Sequence, residues 1–183
     1  MPDQEFGNKK LQTEQLGRIS ADDYQQMQKS PIIVVLDNVR SLHNIGSIFR
    51  TSDAFRLESV YLCGICATPP HKEIHKSALG AEHVVPWKYF QETMQAIIEL
   101  QANNYELIAI EQTQHSISLE KFLIDPSKKY ALIFGNEVKG IEQKIVDMCN
   151  SSVEIPQFGT KHSFNVSVSA GIVLWEWYRK FNA

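Results

Sequence analysis

From Pro31 onward, short apolar runs alternate with amphipathic stretches. The runs "IIVVLD", "SVYLCG", "HVVPW", "ELIAIEQT", "YALIFGNE" and "SVEIP" have strand length and little polar alternation, the pattern of strands buried on both faces. Helical spacing falls between them, over Ile45 to Phe55, in the loop-and-helix stretch "HKEIHKSALGAE", and in "ETMQAIIELQANN" and "IEQKIVDMC". A closing helix is predicted from Val166 to Phe181. Strands alternating with helices predict an α/β fold, a mostly parallel sheet with helices on both faces. No repeat or low-complexity linker divides this region, so 31–183 reads as one domain. Residues 1–30 are Gln-rich and polar, and "LQTEQLGRI" and "ADDYQQMQ" predict one or two short marginal helices or a partly ordered extension.

Two helices carry more information than the rest. In the first, Ile45, Ile48, Phe49 and Phe55 fall within an arc of roughly 120°, and Arg50 points about 160° from its centre. Arg50 therefore faces outward, where an arginine is ordinarily a solvated charge. The closing helix "VSVSAGIVLWEWYRKF" is apolar on two sides: Val166, Val173, Leu174, Trp177 and Phe181 on one, Val168, Ile172 and Trp175 on the other. Only a narrow strip with Ser169, Glu176 and Lys180 is polar. The sheet covers one side, and either a second subunit or a central position in the fold covers the other.

Composition narrows the setting. The 183 residues are 43% hydrophobic and 21% charged, in the range of a globular domain with a real core. No apolar run approaches the roughly 18 residues that span a bilayer, and the first thirty residues lack a secretory core, so a cytoplasmic location with no membrane partner is expected. A net charge of −3 provides no global attraction to nucleic acid, so an anionic partner needs a local patch. Three cysteines fit a reducing compartment. Cys63 and Cys66 form a C-x-x-C followed by His71 and His75, but "ATPP" is far too short for a Cys2His2 finger and no second C-x-x-C exists. One strand-end thiol and one loop thiol, with no metal, is the expectation.

Three glycine-bearing turns follow predicted strands. The first, "LDNVRSLHNIGSIFR", holds Asn44, Gly46 and Arg50, few of them residues a core would select. The second, "LIFGNEVKG", holds Gly135, Glu137 and Gly140, and the third, "EIPQFGTKHSFNVSVSAG", leads through Gly159 to Ser163 and Asn165. Parallel α/β sheets bind ligands at the carboxyl ends of their strands, so three such turns can build one site. Neither G-x-G-x-x-G nor a Walker-type loop is present, which argues against a dinucleotide or ATP site.

In that order and spacing, "NIGSIFR", "IFGNEVKG" and "IPQFGTKHSFNVSVSAG" resemble the three signature motifs of the SpoU (TrmH) branch of the SPOUT RNA 2′-O-ribose methyltransferases, over roughly Ile32 to Trp177. The resemblance implies a C-terminal trefoil knot, S-adenosylmethionine as cofactor, tRNA or rRNA as substrate, and a homodimer through the closing helix in which one subunit's arginine serves the other's cofactor site. It assigns catalysis to Asn44, Arg50, Glu137, Ser163 and Asn165, and cofactor binding to Gly135, Ile155, Phe164, Glu111 and Val166. Phe164 stands where leucine is usual and Ser169 where alanine is common. Because a guanidinium is a poor base, Arg50 is assigned to phosphate positioning and alkoxide stabilisation, with a substrate phosphate as proton acceptor. Asn44 and Asn165 would fix the arginine and the ribose, and Glu137 would orient the first motif. Taken singly, the two asparagines are equally helix caps and Glu137 a surface carboxylate. The rivals are a catalytically inactive RNA-binding or assembly factor on the same fold, and a flavodoxin-like or nucleotide-binding sensor.

Overall fold

A computed structural model describes residues 8–17 and 19–181. The expected N-terminal extension lies partly outside the described residues, at 1–7 and 18. Of the extension, a 3-10 turn (Thr13–Leu16) and a short helix α1 (Ala21–Gln26), capped by Ser20, are described, and Tyr24 of α1 is buried in the core.

Strand β1 (Ser30–Asp37) shows why its sequence is continuously apolar. Ile32, Val34 and Leu36 belong to one core cluster, with Ile48, Phe49 and Trp177, whereas Ile33 and Val35 belong to a second, with Ile97, Leu100 and Ile145. Alternate side chains point to opposite faces, and both faces are covered, so no position is free to be polar. β2 (Leu57–Cys63), β3 (Trp87–Phe90), β4 (Tyr105–Ile110), β5 (Ile117–Ser118), β6 (Lys129–Phe134) and β7 (Ser151–Glu154) complete a seven-stranded sheet, ordered β3-β2-β1-β6-β4-β7-β5. Every pairing is parallel. Leu36 lies level with Phe134 on one side and Leu62 on the other, so the turns after β1 and β6 leave the sheet side by side. Strand order reverses there, the switch point at which such sheets open a crevice.

The helices are α2 (Leu42–Ala54), α3 (Lys72–Ala78), α4 (Thr93–Ala102), α5 (Gln143–Val146) and α6 (Val166–Phe181). In α2 the expected core face of Ile45, Ile48 and Phe49 is fully buried and Arg50 is exposed. Gly46 has a packing reason: a Cβ there would collide with Ser77 Oγ and the Ile74 carbonyl, because α3 crosses α2 at that point. Ser77 Oγ donates to the His43 carbonyl (3.0 Å) at the same crossing.

Two sequence expectations need correction. The strand expected at "HVVPW" is displaced: Ala81–His83 is a 3-10 turn entered through Gly80 (φ 97°), and β3 begins after Pro86. Proline cannot donate to a ladder, and here its carbonyl accepts from Val60 N (2.9 Å) just ahead of the β2–β3 pairing. The helix expected over "IEQKIVDMC" is one turn. Its entry is tied by Glu142 N to Asp37 Oδ2 (3.0 Å), and Asn150 N bonds to the Leu107 carbonyl (2.9 Å), which draws the chain into β7. The two-residue β5 was not expected. In α6, Val166, Val173, Leu174 and Trp177 are buried, and Lys180 does not face solvent but donates to the carbonyls of Leu119 and Phe122 (3.1 and 2.9 Å).

Candidate active site

The three turns meet through one carboxylate and two asparagines. Glu137, in the turn after β6, accepts at Oε2 from Arg40 N (3.1 Å) and at Oε1 from Ser41 N (3.0 Å) and Asn44 Nδ2 (3.1 Å). These are the entry to α2, whose N-cap Ser41 accepts from Asn44 N (3.3 Å). Asn44 then turns its carbonyl oxygen to Asn165 Nδ2 (3.1 Å), and Asn165 Oδ1 caps α6 by accepting from Ser167 N (2.9 Å) and Ser167 Oγ (2.7 Å). Asn165 is therefore both a helix cap and a contact between motifs. Burial raises the cost of charge on Glu137, but the hydrogen bonds from Arg40, the Glu137 main chain, Ser41 and Asn44 outweigh it and hold its acid below the ordinary range.

Beside this junction, over the carboxyl ends of β4, β6 and β7, lies an open cavity of about 1180 Å³. Gly135 shapes the loop that walls it. A Cβ there would fall on the backbone of Gly140 and Ile141, so the loop folds back on itself only without a side chain. The fold-back is held by a two-way main-chain bridge between Asn136 and Gly140 (3.0 and 2.9 Å), with Gly140 at φ 68°. Asn136 Oδ1 accepts from Val138 N (3.0 Å) and Asn136 Nδ2 donates to the Asn38 carbonyl (2.7 Å), binding the second turn to the first. Glu111 closes the wall, accepting at Oε2 from Ile141 N (3.1 Å). Gln112 Nε2 reaches the His162 carbonyl (3.1 Å) of the third turn.

All five residues assigned to the cofactor, Gly135, Ile155, Phe164, Glu111 and Val166, line this cavity, and so do Glu137, Ser163 and Asn165. Ile110, Phe134 and Ile155 offer an apolar wall, Gly135 and Gly140 line it as well, and Glu111 and Glu154 add carboxylates. That donor set fits a ligand with a flat apolar ring and a cationic end, which is the chemistry of S-adenosylmethionine. Asn44 and Arg50 are not among the lining residues. Arg50 is six residues beyond Asn44, about 120° away around the helix, and makes no ion pair among the described residues. Within one chain, then, Asn44 holds Glu137 and Asn165 rather than the arginine. Sequence reasoning missed the Arg40 and Ser41 amides, Asn136 and Ser167. Only their places beside the motifs hinted at them.

The C-x-x-C lies elsewhere. Cys63 ends β2 and Cys66 follows in the loop, both buried free thiols, with Cys66 Sγ directed at the Leu36 carbonyl (3.3 Å). Burial pushes the Cys66 thiol up to about 11 and Cys63 higher still. His71 is the N-cap of α3, accepting from Glu73 N (3.2 Å).

Comparison with known proteins gives the same outline. The SpoU rRNA Methylase family model matches residues 31–175. A tRNA (guanosine(18)-2′-O)-methyltransferase of Aquifex aeolicus is 28% identical over 85% of this chain and 72% of its own length. The 23S rRNA (guanosine-2′-O-)-methyltransferase RlmB of Neisseria meningitidis is 30% identical over 87% of this chain, which spans only 62% of that relative. Among solved structures, an AdoMet-bound rRNA methyltransferase from Sinorhizobium meliloti superposes with a TM-score of 0.76 at 28% identity, over 85% of this chain and 59% of that one. The A. aeolicus TrmH/SpoU tRNA modifying enzyme does so with the same TM-score at 27% identity, over 88% and 80%.

Proposed function

We propose that this chain, which belongs to the SpoU rRNA methylase family, transfers a methyl group from S-adenosylmethionine to a ribose 2′-hydroxyl in structured tRNA or rRNA. The observation that carries the reading is the junction of Glu137, Asn44 and Asn165, which joins all three motifs at the rim of the cavity. A factor that only bound RNA would need no such junction beside a cavity of this kind.

When bound, the cofactor supplies an electrophilic methyl group. The chain's own residues then hold the acceptor. Glu137 keeps the entry of α2 rigid, and Ser163 and Asn165 at the cavity edge orient the ribose. Arg50 sits against the adjacent phosphate and stabilises the alkoxide as the hydroxyl proton passes to a phosphate oxygen. Arg50 lies off its own chain's cavity, which supports a homodimer in which it serves the partner's. On α6, Val168, Ile172 and Trp175 are 48%, 36% and 55% exposed, an apolar stripe that a second copy would cover. We also infer the trefoil knot: β6 is inserted between β1 and β4, and the segment after β7 returns past the second turn to bond Asn44. Among the described residues no helix is long and apolar enough to cross a membrane, and the three free thiols fit the reducing cytoplasm.

The test is transfer of labelled methyl groups to unmodified tRNA and rRNA, followed by mapping of 2′-O-methylated positions. A single methylated ribose is expected. Cofactor binding without transfer to any RNA would leave the inactive RNA-binding reading in its place.

A further inference from the structure

The corner that follows α3 gathers three side chains that methyl transfer does not use. His75 on α3, and Glu82 and His83 on the 3-10 turn, each present one donor atom, and these atoms all lie within 4.8 Å of one another. Glu82 is the anchor, with a side chain only 2% exposed. Its Oε2 accepts from Gly80 N (3.0 Å), which leaves Oε1 facing both imidazoles, 2.6 Å from His75 Nδ1 and 3.4 Å from His83 Nε2. A hollow of about 260 Å³ opens over the group, lined also by Pro70, His71 and Lys72.

We propose that His75, Glu82 and His83 form a binding site for a divalent transition metal of the zinc class. Ligands of a tetrahedral ion with bonds of about 2.0–2.1 Å lie about 3.3 Å apart. The Glu82–His83 pair already has that spacing, and the Glu82–His75 pair reaches it by opening less than about 1 Å. The adjustment is cheap, because both imidazoles are largely exposed and can swing while the carboxylate stays fixed. Two imidazoles and one carboxylate, with water in the fourth position, is a zinc ligand set, whereas calcium and magnesium favour oxygen donors alone.

The charges nearby permit a dication. Glu82 supplies the one carboxylate of the group, its Oε1 turned to both imidazoles. Lys76 Nζ is held by Glu73 Oε1 (2.8 Å), and Lys72 stands on an exposed stem that can turn into solvent. A bound ion would tie α3 to the turn behind it. Since α3 packs against α2 at Gly46 and Ser77, it would also brace the helix that carries Asn44 and Arg50. The site uses neither cysteine, and as a proposal it departs from the expectation that the chain holds no metal.

Tag-free protein stripped with chelator and titrated with zinc chloride alone is expected to take up one ion per chain and to melt at a higher temperature. His75→Ala and His83→Ala, both at exposed side chains, should each weaken binding at least about tenfold and abolish the rise in Tm, with His71→Ala and Cys66→Ser within about twofold of the native protein. Absence of saturable binding overturns the proposal. So does binding that survives both His→Ala substitutions, or binding that is lost on Cys66→Ser.

Discussion

Glu137 accepts hydrogen bonds from two main-chain N–H groups and one side-chain amide, and these hold its acid below the ordinary 4.5 although burial opposes the charge. A carboxyl group with a depressed folded-state pKa adds stability that is present above the unfolded value and lost as pH falls through the folded one. Glu137→Gln would point an amide donor at a donor, and the expected loss at neutral pH is about 1–3 kcal/mol, measured by urea unfolding. The gap between native protein and variant should narrow as pH falls below about 4.5, and a constant gap down to about pH 3 would show that the charge contributes nothing. Glu137, Asn44 and Asn165 were legible because their identities and spacing form motifs. The Arg40 and Ser41 amides were not, because a main-chain donor leaves no mark on residue type, and Gly46 misled because its demand comes from α3, thirty residues away along the chain.

At the scale of elements, α6 separates what is buried within one chain from what is left over. Its face with Val173, Leu174 and Trp177 packs on the sheet, and Phe122 and Tyr130 lie against the Trp177 ring at centroid distances of 5.5 and 6.0 Å. Its other face, with Ile172 and Trp175, has no cover among the described residues beyond the Phe55 and Tyr178 rings beside Trp175. Each large apolar side chain there is worth about 1.5–3 kcal/mol when removed from water. Trp175→Glu is therefore expected to yield a folded monomer by sedimentation, with unchanged far-ultraviolet circular dichroism and lost methyl transfer. A variant that stays dimeric would put the interface elsewhere. Both faces of α6 could be read from periodicity, since 3.6-residue spacing survives in any context. The start of β3 could not, because "HVV" is as apolar as a strand and only the turn at Gly80 and the carbonyl of Pro86 decide where pairing begins.

At the scale of the whole molecule, the cavity belongs to one chain and Arg50 faces away from it, so the proposed catalytic unit is two chains sharing each site. Arg50→Ala alone and Gly135→Trp alone should each be inactive, the first with cofactor binding intact. Mixed and re-equilibrated in equal amounts, they should recover roughly a quarter of native activity, since half the dimers are mixed and each has one whole site. No recovery in demonstrated mixed dimers would return Arg50 to its own chain's site. The α/β class, the two-sided core, the outward Arg50 and the identity of the motif residues were determined by the sequence alone, because local periodicity and residue chemistry do not depend on distant contacts. Tertiary structure decided that β6 lies between β1 and β4, that Asn44 joins Glu137 of the second turn to Asn165 of the third, and that His75 meets Glu82 and His83 instead of the cysteines. Those outcomes depend on which distant segments come to lie side by side, and only packing of the whole sheet and its helices determines that.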